Sequence, residues 1–213
     1  VRMAEKKYLR KLMAVLSADV KGYSRLMNEN EDLTITKLTN YRKIITEKVQ
    51  KYYGRVVDSP GDNILAEFSN VSNAIKCAFV IQSTLAKRNA SLPQKQQMLF
   101  RIGINLGNIV HEKNRIYGDG VNIAARLESL ADPGGICISG TVFDQVKNNL
   151  KMNFAFMGEK KVKNITQPVR AYKVLMESRA KIPFIRKLKL ETLLNISISI
   201  ATIGIIYMLY LRY

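Results

Sequence analysis

Histidine and cysteine are almost missing from this chain: His111 stands alone, and the two thiols, Cys77 and Cys137, are isolated in apolar contexts. Three such residues cannot assemble a zinc site. The cysteines read instead as reduced core thiols of a cytosolic domain. Acidic side chains are also scarce. Asp and Glu number 17 against 34 Lys and Arg in 213 residues, a formal net charge of +17, which draws the chain toward polyanions: nucleotide phosphates, anionic lipid or nucleic acid. Nucleic acid is the least favoured partner, because there is no basic run interleaved with aromatics and no helix-turn-helix or zinc-finger spacing. The opening residues do not read as a secretory leader, since Arg2, Lys6, Lys7, Arg10 and Lys11 precede no apolar region of sufficient length.

Apolar residues are plentiful, at 47%, which argues against general disorder and for one globular domain with a proper core. One stretch stands apart. Residues 193–211 carry no charge, and as a helix they would extend roughly 28 Å, which fits a bilayer core. Arg179, Lys181, Arg186, Lys187 and Lys189 precede that stretch and only Arg212 follows it, a bias that puts the N-terminal side in the cytoplasm. Tyr207, Tyr210 and Tyr213 suit the far interface. The expected organisation is a basic N-terminal segment (1–11), a globular domain (12–178), a basic juxtamembrane linker (179–192) and one transmembrane helix (193–211). The competing reading of the last stretch is a buried helix packed on the domain. On the first reading the protein is single-pass in the inner (plasma) membrane, its domain cytoplasmic. A valine at position 1 and an end two residues past the apolar run suggest a piece of a longer protein.

Periodicity supplies the elements. Residues 12–18 read as a strand ending at Asp19, and Lys21-Gly22-Tyr23-Ser24 as a tight connection into a helix whose backbone N–H groups could receive phosphate. Asp32 is the expected N-cap of the next helix, Leu38, Tyr41, Ile45, Val49 and Tyr52 recur at helical spacing, and Gly54 is the expected stop. Residues 55–58 and 64–68 form a predicted hairpin with Asp62 near its tip. A helix over 71–88 follows, then a strand pair, 98–107 with 108–111. Tyr117-Gly118-Asp119-Gly120 leads into a helix carrying Asn122 and Arg126, which Asp132-Pro133-Gly134-Gly135 ends. A strand at 136–139, a short helix at 141–148 and strands near 154–156 and 169–175 complete an α+β domain.

Asp19 and Asp62 are thus each delivered at a strand edge where a metal could collect them. Asn122 and Arg126, four residues apart, share one helix face. Paired carboxylates can hold divalent cations, and a guanidinium can stabilise a charged phosphoryl transition state. The same set would serve a polymerase-like or phosphohydrolase site. Singly, each residue has an ordinary alternative as a helix cap, a turn residue or part of a solvated face.

Four segments in order carry a more specific signal: Ala18-Asp19-Val20-Lys21-Gly22-Tyr23-Ser24, Gly61-Asp62-Asn63-Ile64-Leu65-Ala66-Glu67-Phe68, Gly118-Asp119-Gly120-Val121-Asn122-Ile123-Ala124-Ala125-Arg126-Leu127 and Gly158-Glu159-Lys160-Lys161-Val162-Lys163-Asn164-Ile165. Over about residues 12–175 the chain resembles the catalytic domain of class III nucleotide cyclases of the bacterial adenylate or guanylate type. The resemblance implies a ferredoxin-like mixed sheet covered by helices, working as a head-to-tail homodimer with shared sites. Asp19 and Asp62 of one protomer, with the Val20 carbonyl, would hold two Mg²⁺ or Mn²⁺ ions; Asn122 and Arg126 of the other would orient the ribose and neutralise charge on the α-phosphate. Lys163 would be a further phosphate contact, beside Gly22, Tyr23 and Ser24.

The base-reading positions depart from the pattern. Where adenylate-type members commonly present a lysine and an aspartate, this chain has Asp58 and Arg115, the two charges exchanged. Either adenine or guanine could satisfy an acceptor and a cationic donor, or the two side chains could pair with each other. The expected activity is conversion of ATP, or else GTP, to the 3′,5′-cyclic monophosphate and pyrophosphate in intracellular signalling. The alternatives are a catalytically weak nucleotide-binding and dimerisation module that regulates a membrane partner, and a basic surface-binding protein.

Overall fold

Side-chain alternation along β1 (Arg10–Val20) sets the architecture: Ala14, Leu16, Ala18 and Val20 enter one core, while Val15 belongs to a separate core on the opposite face, toward which Ser17 and Asp19 also point. The computed structural model describes residues 10–58, 61–112, 115–162, 165 and 167–176, excluding the side chain of Asp58.

The strands following β1 are β2 (Gly54–Asp58), β3 (Ile64–Phe68), β4 (Phe100–Glu112), β5 (Arg115–Tyr117), β6 (Ile136–Ser139), β7 (Asn153–Lys160) and β8 (Val169–Leu175). They form one sheet in the order β2-β3-β1-β4-β6-β8-β7, with β5 on the end of β4; β4 and β6 are parallel and the other pairs antiparallel. The helices are α1 (Tyr23–Glu29), α2 (Glu31–Lys51), α3 (Val71–Asn89), α4 (Asp119–Leu130) and α5 (Gly140–Val146). Helices α2, α3 and α5 bury Tyr41, Ile45, Val49, Ile75, Ile81, Leu85, Val142 and Val146 on one face of the sheet, each large apolar side chain contributing about 1.5–3 kcal/mol. Helix α4 covers the other face, where Ala124 meets Val15, Leu65 and Ile109. Its seat is made by glycine: a Cβ at Gly103 of β4 would overlap the Ala124 carbonyl and the Glu128 N–H, and one at Gly107 would come within 3.0 Å of the Gly120 Cα.

Several local expectations change. The N-cap of α2 is Asn30, whose side chain accepts from the Leu33 N–H at 2.9 Å; Asp32 lies inside the first turn, where its charge still suits the helix dipole. Gly54 does not stop α2. The helix ends at Lys51, Tyr53 takes the positive φ of 59°, and Gly54 opens β2 because the Phe68 ring occupies the space of its missing Cβ. The predicted pair 98–107 and 108–111 is one continuous strand, β4, held straight by its full length of pairing to β1, and its hairpin partner is β5. The short helix expected at 141–148 spans Gly140–Val146, capped by the Ser139 hydroxyl. Cys77 and Cys137 are free and buried, and burial pushes their thiols up to about 12 and about 11, so both stay protonated. Among the described residues no helix is long and apolar enough to cross a membrane. The predicted linker and span, 179–192 and 193–211, lie outside the described residues.

Candidate active site

Asp19 is next to last in β1, on the α4 face, with Arg101 of β4 directly across the ladder. Asp62 reaches the same point from the β2–β3 turn. Gly61, at φ 58°, gives that turn its left-handed step, and its carbonyl accepts from Arg42 of α2, tying the turn to the helix layer. Asn63 Nδ2 then donates to Ser17 Oγ at 3.1 Å, two residues before Asp19 on the same strand face. The turn is therefore fastened on both sides of Asp62.

The two carboxylates crowd each other. Asp62 is pushed up to about 6, first by burial, then by its hydrogen bond to Asp19 and the charge of Asp19, against the opposing pull of the Asp62 and Val20 backbone N–H groups. Arg101 Nη2 lies 2.7 Å from Asp19 Oδ2 and 3.1 Å from Glu128 Oε1, the latter without hydrogen-bond alignment. Glu128, on the buried face of α4, is pushed up to about 7 by burial and by the charge of Asp19, with Arg101 pulling it back and Asp62 adding to the rise. The result is two carboxylates, Asp19 and Glu128, sharing one guanidinium, with Asp62 hydrogen-bonded to Asp19 beside them. Among the described residues no group of three or more His, Cys, Asp and Glu side chains is arranged to hold a metal ion. Asp19 and Asp62 do fit one as a pair of hard oxygen donors in mutual repulsion, the donor chemistry that Mg²⁺ takes when water and phosphate complete its shell.

The other expected residues fall elsewhere. Asn122 and Arg126 lie on the exposed face of α4, and neither has a hydrogen bond or ion pair among the described residues. Gly22 caps α1 at φ 72° with no side-chain hydrogen bond, which leaves the first-turn N–H groups without a capping acceptor; Tyr23 packs on the core and Ser24 is exposed. Asp58 ends β2, and Arg115 opens β5 on an exposed side chain; β2 and β5 approach each other within the chain. Lys163 lies outside the described residues. A cavity of about 640 Å³ opens beside the N-terminus of α4, near Asn105, Thr141 and Arg170, and holds neither aspartate.

Arg101, Glu128 and Arg42 went unread in the sequence. Glu128 left one signal: it takes a position in the stripe Gly120, Ala124, Leu127 that otherwise faces the sheet, where an unpaired charge is costly.

Comparison with known proteins identifies the family. The Adenylate and Guanylate cyclase catalytic domain family matches residues 6–176. Putative adenylate cyclase 3 of Rhizobium meliloti (strain 1021) is 40% identical over 182 residues, covering 85% of this chain and 31% of that protein. The chain thus spans about a third of the length of this curated relative. The crystal structure of an adenylate/guanylate cyclase/hydrolase from Silicibacter pomeroyi is similar at TM-score 0.75 and 39% identity, covering 79% of this chain and 99% of that one. The adenylyl cyclase CyaB from P. aeruginosa is similar at TM-score 0.71 and 25% identity, over 81% and 98% of the two chains. With the match running across all of the described strands and helices, the chain belongs to the class III adenylate and guanylate cyclase catalytic domain family.

Proposed function

We propose that this domain converts ATP to 3′,5′-cyclic AMP and pyrophosphate at sites shared between two copies of the chain. The observation that carries the reading is a division of labour in the single chain. Asp19 and Asp62 are pressed together until Asp62 rises to about 6, while Asn122 and Arg126 face outward without partners among the described residues. A crowded acidic pair suits divalent cations, and an unengaged guanidinium suits a phosphate that arrives with another subunit's site.

Asp19 and Asp62, with the Val20 carbonyl, would hold two Mg²⁺ or Mn²⁺ ions, as class III cyclases generally depend on divalent metal. When bound, the ions supply charge neutralisation for the triphosphate and acidify the ribose 3′-hydroxyl. Arg126 of the second copy neutralises the charge growing on the α-phosphate, and Asn122 orients the ribose. Gly22, Tyr23 and Ser24 offer backbone N–H groups to the phosphates, and Lys163 adds a cation. Asp58 and Arg115 face the base as acceptor and donor, a pair that also suits guanine. ATP is favoured over GTP because relatives such as the Rhizobium and P. aeruginosa proteins carry adenylate cyclase names. The membrane helix at 193–211, and a cytoplasmic domain signalling from the inner membrane, remain part of this proposal on hydropathy and charge bias alone.

Incubation with ATP or GTP and Mg²⁺ or Mn²⁺, with the product identified by mass, tests the reaction and the base together. The absence of a cyclic product under all four conditions would reject it. Mixing inactive Asp19→Ala with inactive Arg126→Ala should restore activity in mixed dimers. Confirmed mixed dimers without activity would sink the shared site.

A further inference from the structure

On the sheet face opposite α4, an open surface groove of about 770 Å³, large enough for a small phosphorylated ligand, is lined by α2, the end of α3 and the residues after it. Lys37 and Asn40 reach it from α2, Lys87 and Arg88 from the last turn of α3. Among the described residues no carboxylate lines it. The side chains of Lys87 and Arg88 have no hydrogen bond or ion pair among the described residues, and neither has the Asn40 amide. Lys37 also borders a neighbouring pocket lined by Glu29 and Gln96, and one of its three N–H groups donates there, to the Gln96 carbonyl at 2.8 Å.

Two of these charges have an ordinary purpose, since Lys87 and Arg88 offset the dipole at the C-terminus of α3. Lys37 has none of that kind, because it lies in the second turn of α2, far from that helix's C-terminus. Cations from two helices therefore line the groove with no carboxylate among its described lining residues. The hydroxyls nearby are committed to the main chain: Thr84 Oγ1 donates to the Val80 carbonyl at 2.7 Å and Ser91 Oγ to the Arg88 carbonyl at 3.1 Å. Tyr41, at the floor, donates to Asn89 Oδ1 at 2.9 Å. The donors left for a ligand are three cations and one amide, which match a doubly charged, oxygen-rich anion better than a carboxylate.

We propose that this groove binds a phosphate monoester, with Lys37, Lys87 and Arg88 as charged donors and Asn40 as the neutral one, at a site separate from Asp19 and Asp62. The ester could be a free metabolite or the headgroup of an anionic lipid. Calorimetry on the full chain in uncharged detergent with glycerol 3-phosphate, and sedimentation with phosphatidylcholine vesicles with and without phosphatidic acid, separate the two sources.

Saturable binding of either probe is expected, weakened at least tenfold in Lys37→Ser/Lys87→Ser/Arg88→Ser. Asn40→Asp should weaken it as much, because it puts a carboxylate in the groove through one exposed side chain that burial does not need. A charge-matched variant at exposed positions elsewhere, Lys11→Ser/Lys76→Ser/Lys151→Ser, should bind within twofold of the parent. Binding of glycerol 3-phosphate assigns a soluble ester. Phosphatidic-acid-dependent sedimentation that Asn40→Asp abolishes, without binding of the soluble ester, assigns the lipid. Equal weakening in the two triple variants would reduce the effect to net charge and overturn the site, as would no saturable binding of either probe or unchanged binding in Asn40→Asp.

Discussion

The two faces of the sheet differ in where they bury carboxylates. Under α2 and α3, each buried polar side chain is matched to the main chain or to a neutral neighbour. Gln82 Nε2 donates to the Phe100 and Gly135 carbonyls at 2.9 and 2.8 Å, Asn89 bonds Met98 on both its N–H and carbonyl, and Thr34 donates to the Leu26 carbonyl. Under and beside α4 lie the buried carboxylates, held by cationic or imidazole side chains, beside the neutral Asn105, which donates to the Gly120 carbonyl at 3.2 Å. Glu67 lies between Arg55 at 2.7 Å and His111 at 2.7 Å, and Glu128 and Asp19 share Arg101. Polar groups tied to backbone specify the fold and are indifferent to solution conditions. Groups tied to charge respond to protons and ions, so the α4 face is where chemistry is affordable and the helical face is where stability resides.

The strongest way to break this contrast is to remove a charge from the α4 face. Asp19→Ala or Asp62→Ala should lower turnover by at least about 10³-fold, and in Asp62→Ala thermal unfolding of the metal-free protein should stay at or above the parent's, because a repelling carboxylate has gone while the Asp19–Arg101 pair remains. If Asp62→Ala unfolds instead, that acid is structural. Next in size is the reverse experiment. Gln82→Ala should lower unfolding free energy by about 2–4 kcal/mol, since two buried carbonyls lose their donor, and leave the rate per folded molecule unchanged. Denaturant titration beside single-turnover kinetics reads both.

A third test uses protons. Because Asp62 sits at about 6, it must release a proton to receive a metal ion, so Mn²⁺ affinity should fall about tenfold per pH unit below that value. An affinity flat from pH 5 to 7 would contradict the crowded pair. The smallest effect concerns stability without metal. Asp62 and Glu128 have folded values of about 6 and about 7, above their ordinary 3.8 and 4.5, so the unfolded chain gives up these protons first. Their contribution to stability is full below about pH 4 and lost as pH rises through 6 and 7. Glu128→Gln should flatten that decline and raise the melting temperature by a few degrees near pH 8, a melting series that loses its slope only in part because Asp62 remains.

Most of the elements were legible because apolar spacing is local. The stripe Leu38, Tyr41, Ile45, Val49 specifies α2 whatever it packs on, and the Pro-Gly turn announces the hairpin that carries Asp62. What was not legible depends on tertiary register. Asp19 and Arg101 are 82 positions apart and meet only because β1 and β4 pair at one register, which is fixed by the alternation of two whole strands. Gly54 was misread for a similar reason: the ring that excludes a Cβ there belongs to Phe68, on the next strand. The break expected in β4 after Gly107 failed because glycine there makes room for Gly120 of α4 rather than ending the strand.

That seating of α4 on bare strand backbone has a wider consequence. Ordinary helices ride on a cushion of side chains that can repack by a rotamer hop and let the helix slide. Here Gly103 removes the cushion, and the helix bearing Asn122 and Arg126 is clamped to the strand bearing Arg101 as one stiff plate. An input that throttles such a domain has no soft joint to work on inside the plate; it must act by tilting whole plates against one another.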